Sequence, residues 1–396
     1  MIGFLANARW WGGDTLLALG GVQLSAVDFS AFGLPDYHDP YSLPRISAGH
    51  TVVVCSGWVR QMAARGFDVM ERFLNPLAKR FDRIVGFDDG DPFQLDFTDD
   101  LLSEMDAIMK PNGVYRDYDL YNYSVGAATP NGRWTEKSEE LPVRYSTANL
   151  KKICLSIPCF LGSSLEFRKI TRSFYRKGGW RSSARSVADK LLAATVRPLS
   201  ARRPPNHTVG FLGSLTHIQR ARALRSIQHS SLRWQGGLTG VPEVVTGFAG
   251  TGRTRLQESE RLELTRQLTQ EGLLVRSLSR VPYQRSISDC KAVLSITGYG
   301  EICFRMAEAW ASRRILVCQD LSHVRTLFPF EHGRNVIYCR PDLSDLIEVL
   351  DDIECNFAKY IDVAEQGHQD WINWCSGLRE MVSDSLAPLR DFQRCG

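Results

Sequence analysis

The sequence predicts an α/β protein built of two Rossmann-like domains facing a cleft. Three observations carry that prediction. Short β-branched runs, TVVVC at 51–55 and RIVGF at 83–87, alternate with segments of helical apolar spacing. That is the pattern of a parallel sheet covered by helices. A second alternation starts at TVGFL, 208–212. Between the two, the composition turns basic and ends in Arg-Arg-Pro-Pro, a change that marks a connection.

The bulk properties agree. The chain has 396 residues, enough for about two domains and for a core that needs no metal or disulfide. A formal charge of +4 is too small to argue for nucleic acid. Ten cysteines are scattered without a CxxC pair, which predicts reduced thiols and a cytoplasmic location. Eight histidines show no HxxxH spacing, so no zinc site is predicted. Residues 1–13 lack a basic leader and a small-residue cleavage site, and read as a first strand rather than a signal peptide. No apolar run is long enough to span a bilayer.

In chain order, 2–6 reads as a strand, Gly12-Gly13 as a loop, and a short helix follows from Asp14 to Gly20-Gly21. The strand 51–55 is followed by a helix over 59–78, then by the strand 83–87, which ends in Asp88-Asp89-Gly90-Asp91. Residues 109–142 are loop-rich, with Tyr115, Tyr118, Tyr121 and Tyr123. ICLSI at 153–157 reads as one more strand, closed by Pro158. Residues 168–203 carry eleven Lys and Arg against one acid, Asp189, interleaved with Phe174, Tyr175 and Trp180.

The second unit has a strand at 208–212, a Gly213-Ser214 turn and a basic helix at 219–228. An amphipathic helix covers 258–272, then come a strand at 292–296, a helix at 301–312 and a strand at 315–318. A last strand falls at 336–338, and 344–374 is mostly helical. The division is 1–165, a first Rossmann-like domain; 166–203, the basic connection; 204–350, a second Rossmann-like domain; and 351–396, terminal helices placed to cross back to the first domain.

The chemistry concentrates in TGYGEICFRMAE, 297–308. Gly298 and Gly300 let the backbone turn sharply around Tyr299 and approach a ligand. A helix start offers unpaired N–H groups to phosphate, and ligands of open α/β sheets bind beyond the strands' carboxyl ends. Glu301, Arg305, Glu308 and Ser312 share one helical face. Arginine grips a diphosphate through parallel hydrogen bonds, and a carboxylate accepts from sugar hydroxyls. The same spacing also fits a surface ion-pair set, Arg305 with Glu301 and Glu308, worth about 0.2–0.5 kcal/mol per pair.

The run 295–320 resembles the donor-binding segment of exostosin-like and related GT-B glycosyltransferases. The likeness covers about 208–350, and 83–158 more faintly. Arg305-Met306-Ala307-Glu308 fills the Arg-x-x-Glu part, and Phe328-Pro329-Phe330 with Asn335-Val336-Ile337-Tyr338 is similar in order. The resemblance implies that Arg305 meets the donor diphosphate and Glu308 the ribose. It implies a nucleotide-sugar domain at 204–350 and an acceptor domain at 1–165. Gly213-Ser214 and Arg220 fit the first strand–loop–helix of such a donor domain; they also fit a plain turn with a solvated basic helix. SRVPY, 279–283, would be the loop that brings Tyr283 against a base. The two glutamates stand seven apart, where the retaining pattern has eight, so the anomeric outcome stays open.

Three readings of the Asp88–Asp91 cluster stay open. In an inverting GT-B enzyme Asp91, with Asp89 beside it, deprotonates the acceptor. In a GT-A enzyme Asp89-Gly90-Asp91 holds Mg²⁺ or Mn²⁺. Otherwise the acids and glycine make a turn. The tyrosines after Lys110 either line an acceptor groove or pack a surface loop. The basic stretch either lies on an anionic membrane, contacts nucleic acid or is a solvated linker. The expectation is a metal-independent glycosyltransferase that uses a nucleotide sugar as substrate and no cofactor. Its acceptor is a glycan or glycolipid, with no nucleic-acid partner and peripheral contact to the inner membrane face through 168–203. The alternatives are the metal-dependent GT-A enzyme and a non-catalytic nucleotide- or glycan-binding module.

Overall fold

The computed structural model describes residues 2–5, 24–27, 45–88, 94–123, 140–141, 144–156, 204–247 and 253–376. The first half holds β1 (Ile2–Leu5), β2 (Leu24–Val27), β3 (Arg45–Ile46), β4 (Gly49–Cys55), β5 (Phe81–Phe87), β6 (Ala107–Lys110), β7 (Val114–Tyr115) and β8 (Ile153–Leu155). Seven of them form one sheet in the order β3-β2-β1-β4-β5-β6-β8, with every pairing parallel. The helices here are α1 (Ser56–Ala64), α2 (Asn75–Ala78), α3 (Asp99–Ser103) and α4 (Thr147–Leu150).

The second half holds β9 (His207–Gly213), β10 (Trp234–Leu238), β11 (Val244–Thr246), β12 (Arg253–Arg255), β13 (Cys290–Ser295), β14 (Ile315–Gln319), β15 (Val324–Arg325) and β16 (Ile337–Cys339). Its parallel sheet runs β10-β9-β13-β14-β16, and β11 pairs with β12 as an antiparallel hairpin. Its helices are α5 (Ile218–Gln228), α6 (Glu258–Gln270), α7 (Arg280–Ser288), α8 (Phe304–Ala311), α9 (Leu346–Cys355) and α10 (Phe357–Ser376). Two parallel sheets covered by helices make the two Rossmann-like units that the alternation predicts. In the second sheet the order reverses between β9 and β13, and crevices for ligands open at such reversals.

Several elements differ from expectation. The helix over 59–78 is interrupted: α1 ends at Ala64, and Gly66 takes φ +79, a left-handed conformation that stops a helix. A π-helical turn at Met70–Leu74 then leads into α2. The helix after Gly300 begins at Phe304, with Cys303 as N-cap, so Glu301 precedes it. The SRVPY segment is no loop, because α7 already starts at Arg280. Eight strands were not anticipated, β2, β3, β6, β7, β10, β11, β12 and β15; of these β6 lies at the edge of the loop-rich stretch, and two glycines in WQGGL hide β10.

The halves share a core. One cluster joins Val53, Trp58, Phe87 and Met109 to Met306, Trp310, Leu316 and Trp371; the other lies on the second sheet alone. A short antiparallel ribbon ties them, with Val324 opposite Tyr115 and Arg325 opposite Val114. The Arg116 N–H donates to the His323 carbonyl at 2.9 Å. On α10, Trp371 and Trp374 pack on Trp310, whose Nε1 donates to the Asn335 carbonyl at 2.7 Å. The last helix therefore covers the second sheet up to residue 376; a crossing back would involve 377–396, which lie outside the described residues, as does the basic stretch 168–203. Among the described residues no helix is long and apolar enough to cross a membrane. The described cysteines are free thiols.

Candidate functional site

Two arginines converge at the reversal between β9 and β13. β9 ends at Gly213, and β13 runs on into Thr297-Gly298. Arg220, in the first turn of α5, and Arg305, in the first turn of α8, turn back over these strand ends. Both are buried, at 6% and 8% exposure. Arg220 donates from Nε to the Thr297 carbonyl (2.9 Å), from Nη2 to Ile296 (3.1 Å) and from Nη1 to Ser214 (2.8 Å). Arg305 donates from Nη2 to the Leu212 carbonyl at 2.5 Å and from Nη1 to Cys303 Sγ at 3.8 Å. Its Nε has no hydrogen-bond partner among the described residues.

The glycines are required by close approach rather than by φ. A Cβ on Gly213 would collide with Arg305 Nη2, and one on Gly298 would lie 2.5 Å from Arg220 Nη2 and 2.7 Å from Thr216 Oγ1. The Gly298-Tyr299-Gly300 turn closes on itself, with the Gly298 N–H on the Gly300 carbonyl at 2.8 Å. It is also held from the next strand. Gln319 accepts from the Thr297 N–H at 3.0 Å and donates to Gln219 at 2.5 Å and to the Pro341 carbonyl at 2.7 Å.

The two guanidiniums donate to strand-end carbonyls and to Cys303 Sγ, and Arg305 also bonds the Tyr283 hydroxyl. Burial, and then the Arg305 charge, push Arg220 down to about 9. Burial works against Arg305 too, but Cys303, Tyr283 and Glu308 outweigh it and raise Arg305 above its ordinary value. A buried cation is costly without a counter-charge; Glu308 supplies part of it for Arg305, while Arg220 bears the cost of burial beside a like charge. A small dianion between the two would add to that counter-charge, aided by the first-turn N–H groups of α8, which has no side-chain cap.

The structure brings Gly213, Ser214, Arg220, Gly298, Gly300 and Arg305 together. The surface ion-pair reading of Arg305 and the solvated reading of Arg220 both fail, because neither guanidinium is on the surface. Glu308 is half-buried beside them and accepts from the Tyr283 hydroxyl at 2.5 Å. Tyr283 is thus engaged with Glu308 from a helix, not presented to a base from a loop. Tyr299 sends its hydroxyl to the Val244 carbonyl at 3.0 Å, and Arg253 lies 5.3 Å over its ring. Glu301 is buried; after burial itself, its charge is the largest influence that raises Tyr115, from the other half.

Sequence reasoning missed Phe211, whose ring lies 5.8 Å from Arg220 Cζ and 4.4 Å from Arg305 Cζ. Its place at the carboxyl end of TVGFL was the available signal. It also missed Thr216 and Gln319, which carry no sequence signal.

In the first half, Asp88 at the end of β5 is fully buried and pairs with the equally buried Lys110 at 2.8 Å. Asp88 also accepts the Asp96 N–H at 2.7 Å, and Lys110 donates to the Gln94 carbonyl at 2.7 Å. Asp89, Gly90 and Asp91 lie outside the described residues. Tyr115 and Tyr121 are core residues, packed edge to face at 4.8 Å, and line no groove. An open cavity of about 490 Å³ beside β16 shares no residue with the arginine site. Among its lining residues Arg340 pairs with Asp345 and Lys359 with Asp352, each at 3.9 Å, and Glu348 is a third carboxylate.

Fold and site together define a protein of two parallel α/β sheets with two buried arginines side by side at the strand-order reversal of the second. No family model and no curated protein matches the chain. Among solved structures it is similar to Anabaena HepE in complex with UDP-glucose, at 11% identity over 98% of this chain and 99% of that one, TM-score 0.46. It is similar to UDP-GlcNAc 2-epimerase from Neisseria meningitidis, at 12% identity over 98% and 99%, TM-score 0.41. It is also similar to TarM, at 11% identity over 86% of this chain and 54% of that one, TM-score 0.42.

Proposed function

We propose that the protein is a GT-B glycosyltransferase that moves a sugar from a nucleotide-sugar donor to a glycan or lipid-linked acceptor. One observation carries the reading: two buried guanidiniums, Arg220 and Arg305, side by side at the strand-order reversal with two glycines against them. That arrangement suits the diphosphate of a donor. In this reading Gly213, Ser214, Gly298, Tyr299 and Gly300 shape the cradle, and Arg220 and Arg305 hold the phosphate oxygens. Glu301 and Glu308 take hydroxyls of the donor. As the glycosidic bond to the diphosphate breaks, negative charge grows on the leaving oxygen. The fixed guanidiniums and the α8 N-terminus stabilise it without a metal. The acceptor binds the 1–165 domain, where Asp91 or Asp89 removes the hydroxyl proton. An exostosin-like subgroup, a cytoplasmic site and membrane contact through 168–203 belong to the same proposal.

The test is a thermal-shift screen with UDP-, GDP-, ADP- and CDP-sugars. A ligand at 100 times its Kd stabilises by about 2.7 kcal/mol. The matching donor raises Tm in the wild type and not in Arg305→Ala. A flat response to every nucleotide refutes the donor site. Turnover that survives EDTA but is lost in Asp91→Asn supports the metal-free base; loss on EDTA points back to Asp89-Gly90-Asp91 as a metal pair.

A further inference from the structure

Thr216 precedes His217, the N-cap of α5, one turn ahead of Arg220. Its backbone is held on both sides. The Thr216 N–H donates to the Ser214 carbonyl at 2.8 Å, and its carbonyl accepts the Thr246 N–H of β11 at 2.9 Å. A β-branched side chain on a fixed backbone has little freedom at χ1, so the hydroxyl is held in place. The hydroxyl oxygen is buried and has no hydrogen-bond partner among the described residues. Burying a hydroxyl unpaired costs stability, and such a group in a native fold calls for a reason. The space it faces supplies one. A Cβ on Gly298 would lie 2.7 Å from Thr216 Oγ1 and 2.5 Å from Arg220 Nη2, so a hydroxyl and a guanidinium approach one point. Arg220 Nη1 and Arg305 Nη2 flank Gly213 in the same way. Carbonyls take three of the five N–H groups of Arg220, which leaves two for a ligand. Thr216 holds neither guanidinium; those bond to carbonyls, Cys303 and Tyr283.

We propose that the Thr216 hydroxyl is a binding group for an oxyanion: it donates a hydrogen bond to a phosphoryl oxygen that Arg220 holds from its other side. The ligand class is a phosphate or diphosphate ester. The proposal deepens the nucleotide-sugar reading of the same site and rests on it for the rest of the ligand. The hydroxyl adds a directional, uncharged contact to a site otherwise built on charge. The free protein carries the cost of burying it, and a bound oxygen relieves that cost.

Calorimetry with inorganic pyrophosphate, on the full chain, compares the wild type with three variants. Thr216→Val and Thr216→Ala remove the hydroxyl, and Thr216→Ser keeps it. Affinity is expected to fall about tenfold in the first two and to stay near wild type in the third. The Tm of the free Thr216→Val protein is expected not to fall, because the hydroxyl it loses has no partner in the fold. Weaker binding without lost stability is an outcome that a merely structural hydroxyl does not give. Alanine adds no methyl to obstruct the anion, and it serves if the valine variant does not fold. Wild-type affinity in Thr216→Val and Thr216→Ala overturns the inference and leaves the donor reading standing. An equal loss in Thr216→Ser overturns it too, as does a valine variant that loses affinity and Tm together. Nucleotide sugars are titrated alongside. Pyrophosphate binding that depends on the hydroxyl, with no nucleotide sugar bound, overturns the donor reading alone. A wild type that binds neither overturns both.

Discussion

Arg220 and Arg305 rise from different helices yet share one aromatic floor, the Phe211 ring, at 5.8 and 4.4 Å. A guanidinium over an aromatic face gains cation–π attraction, most when desolvated. This and the strand-end carbonyls are how the fold holds two like charges together. The consequences of this arrangement are measurable.

Gly213→Ala tests the close approach. The added Cβ collides with Arg305 Nη2, the movable end of a side chain, and lies 3.5 Å from Arg220 Nη1. Stability is expected to fall by about 1–3 kcal/mol. Pyrophosphate affinity is expected to fall about tenfold or more as the guanidinium is displaced. Titration calorimetry that finds wild-type affinity contradicts the cradle.

Arg305→Lys separates charge from geometry. Lysine keeps the charge but loses the planar fork and the bond to the Leu212 carbonyl. Nucleotide-dependent thermal stabilisation should shrink in Arg305→Lys and vanish in Arg305→Ala. Equal stabilisation in all three proteins would remove Arg305 from the site.

Acid should loosen the junction between the halves. Burial pushes His323 down to about 4, against the opposing pull of Asp320. The unfolded chain keeps the ordinary value of about 6.5. Between these values the unfolded state binds the proton and the folded state does not, so stability is lost as pH falls from about 6.5 to 4. The full loss is about 3 kcal/mol. Urea midpoints at pH 7.5, 5.5 and 4.5 should show it, and His323→Gln should flatten this part of the profile. An unchanged slope in the variant places the acid sensitivity elsewhere.

The buried Asp88–Lys110 pair is the fourth test. Lys110→Met leaves the Asp88 carboxylate buried without its cation, at 0% exposure. Breaking such a pair from one side costs about 3–5 kcal/mol. Lys110→Met with Asp88→Asn should recover part of that loss, because the orphaned charge is gone. Chemical denaturation of both variants measures it; additive losses would mean the two groups are not coupled.

Much of the fold was legible. TVVVC, RIVGF and TVGFL are β-branched enough to be strands in any covered sheet, and each is one. β10 was not legible, since Gly236 and Gly237 erase the alternation; Gly236 is kept because its φ of +111 and the Phe211 backbone leave no room for a side chain. The helix at 59–78 failed at Gly66, where one backbone conformation outweighs apolar spacing. At the site, the Gly298–Gly300 turn could be read, because glycine marks a turn at a strand end; whether Arg305 lay on the surface could not, and its burial decided that. Arg220 had two equal readings, and its burial removes the solvated one.

By itself, the order of apolar and polar residues determined two covered parallel sheets and a glycine turn leading into an arginine-bearing helix, since periodicity and turn chemistry are local properties. Only the tertiary structure decided that Arg220 and Arg305 meet over Phe211, that Gln319 holds the turn, that Tyr283 bonds to Glu308, and that Tyr115 and Tyr121 are core. Those facts depend on which strands become neighbours, and strand order is set by long-range packing that no local stretch of sequence encodes.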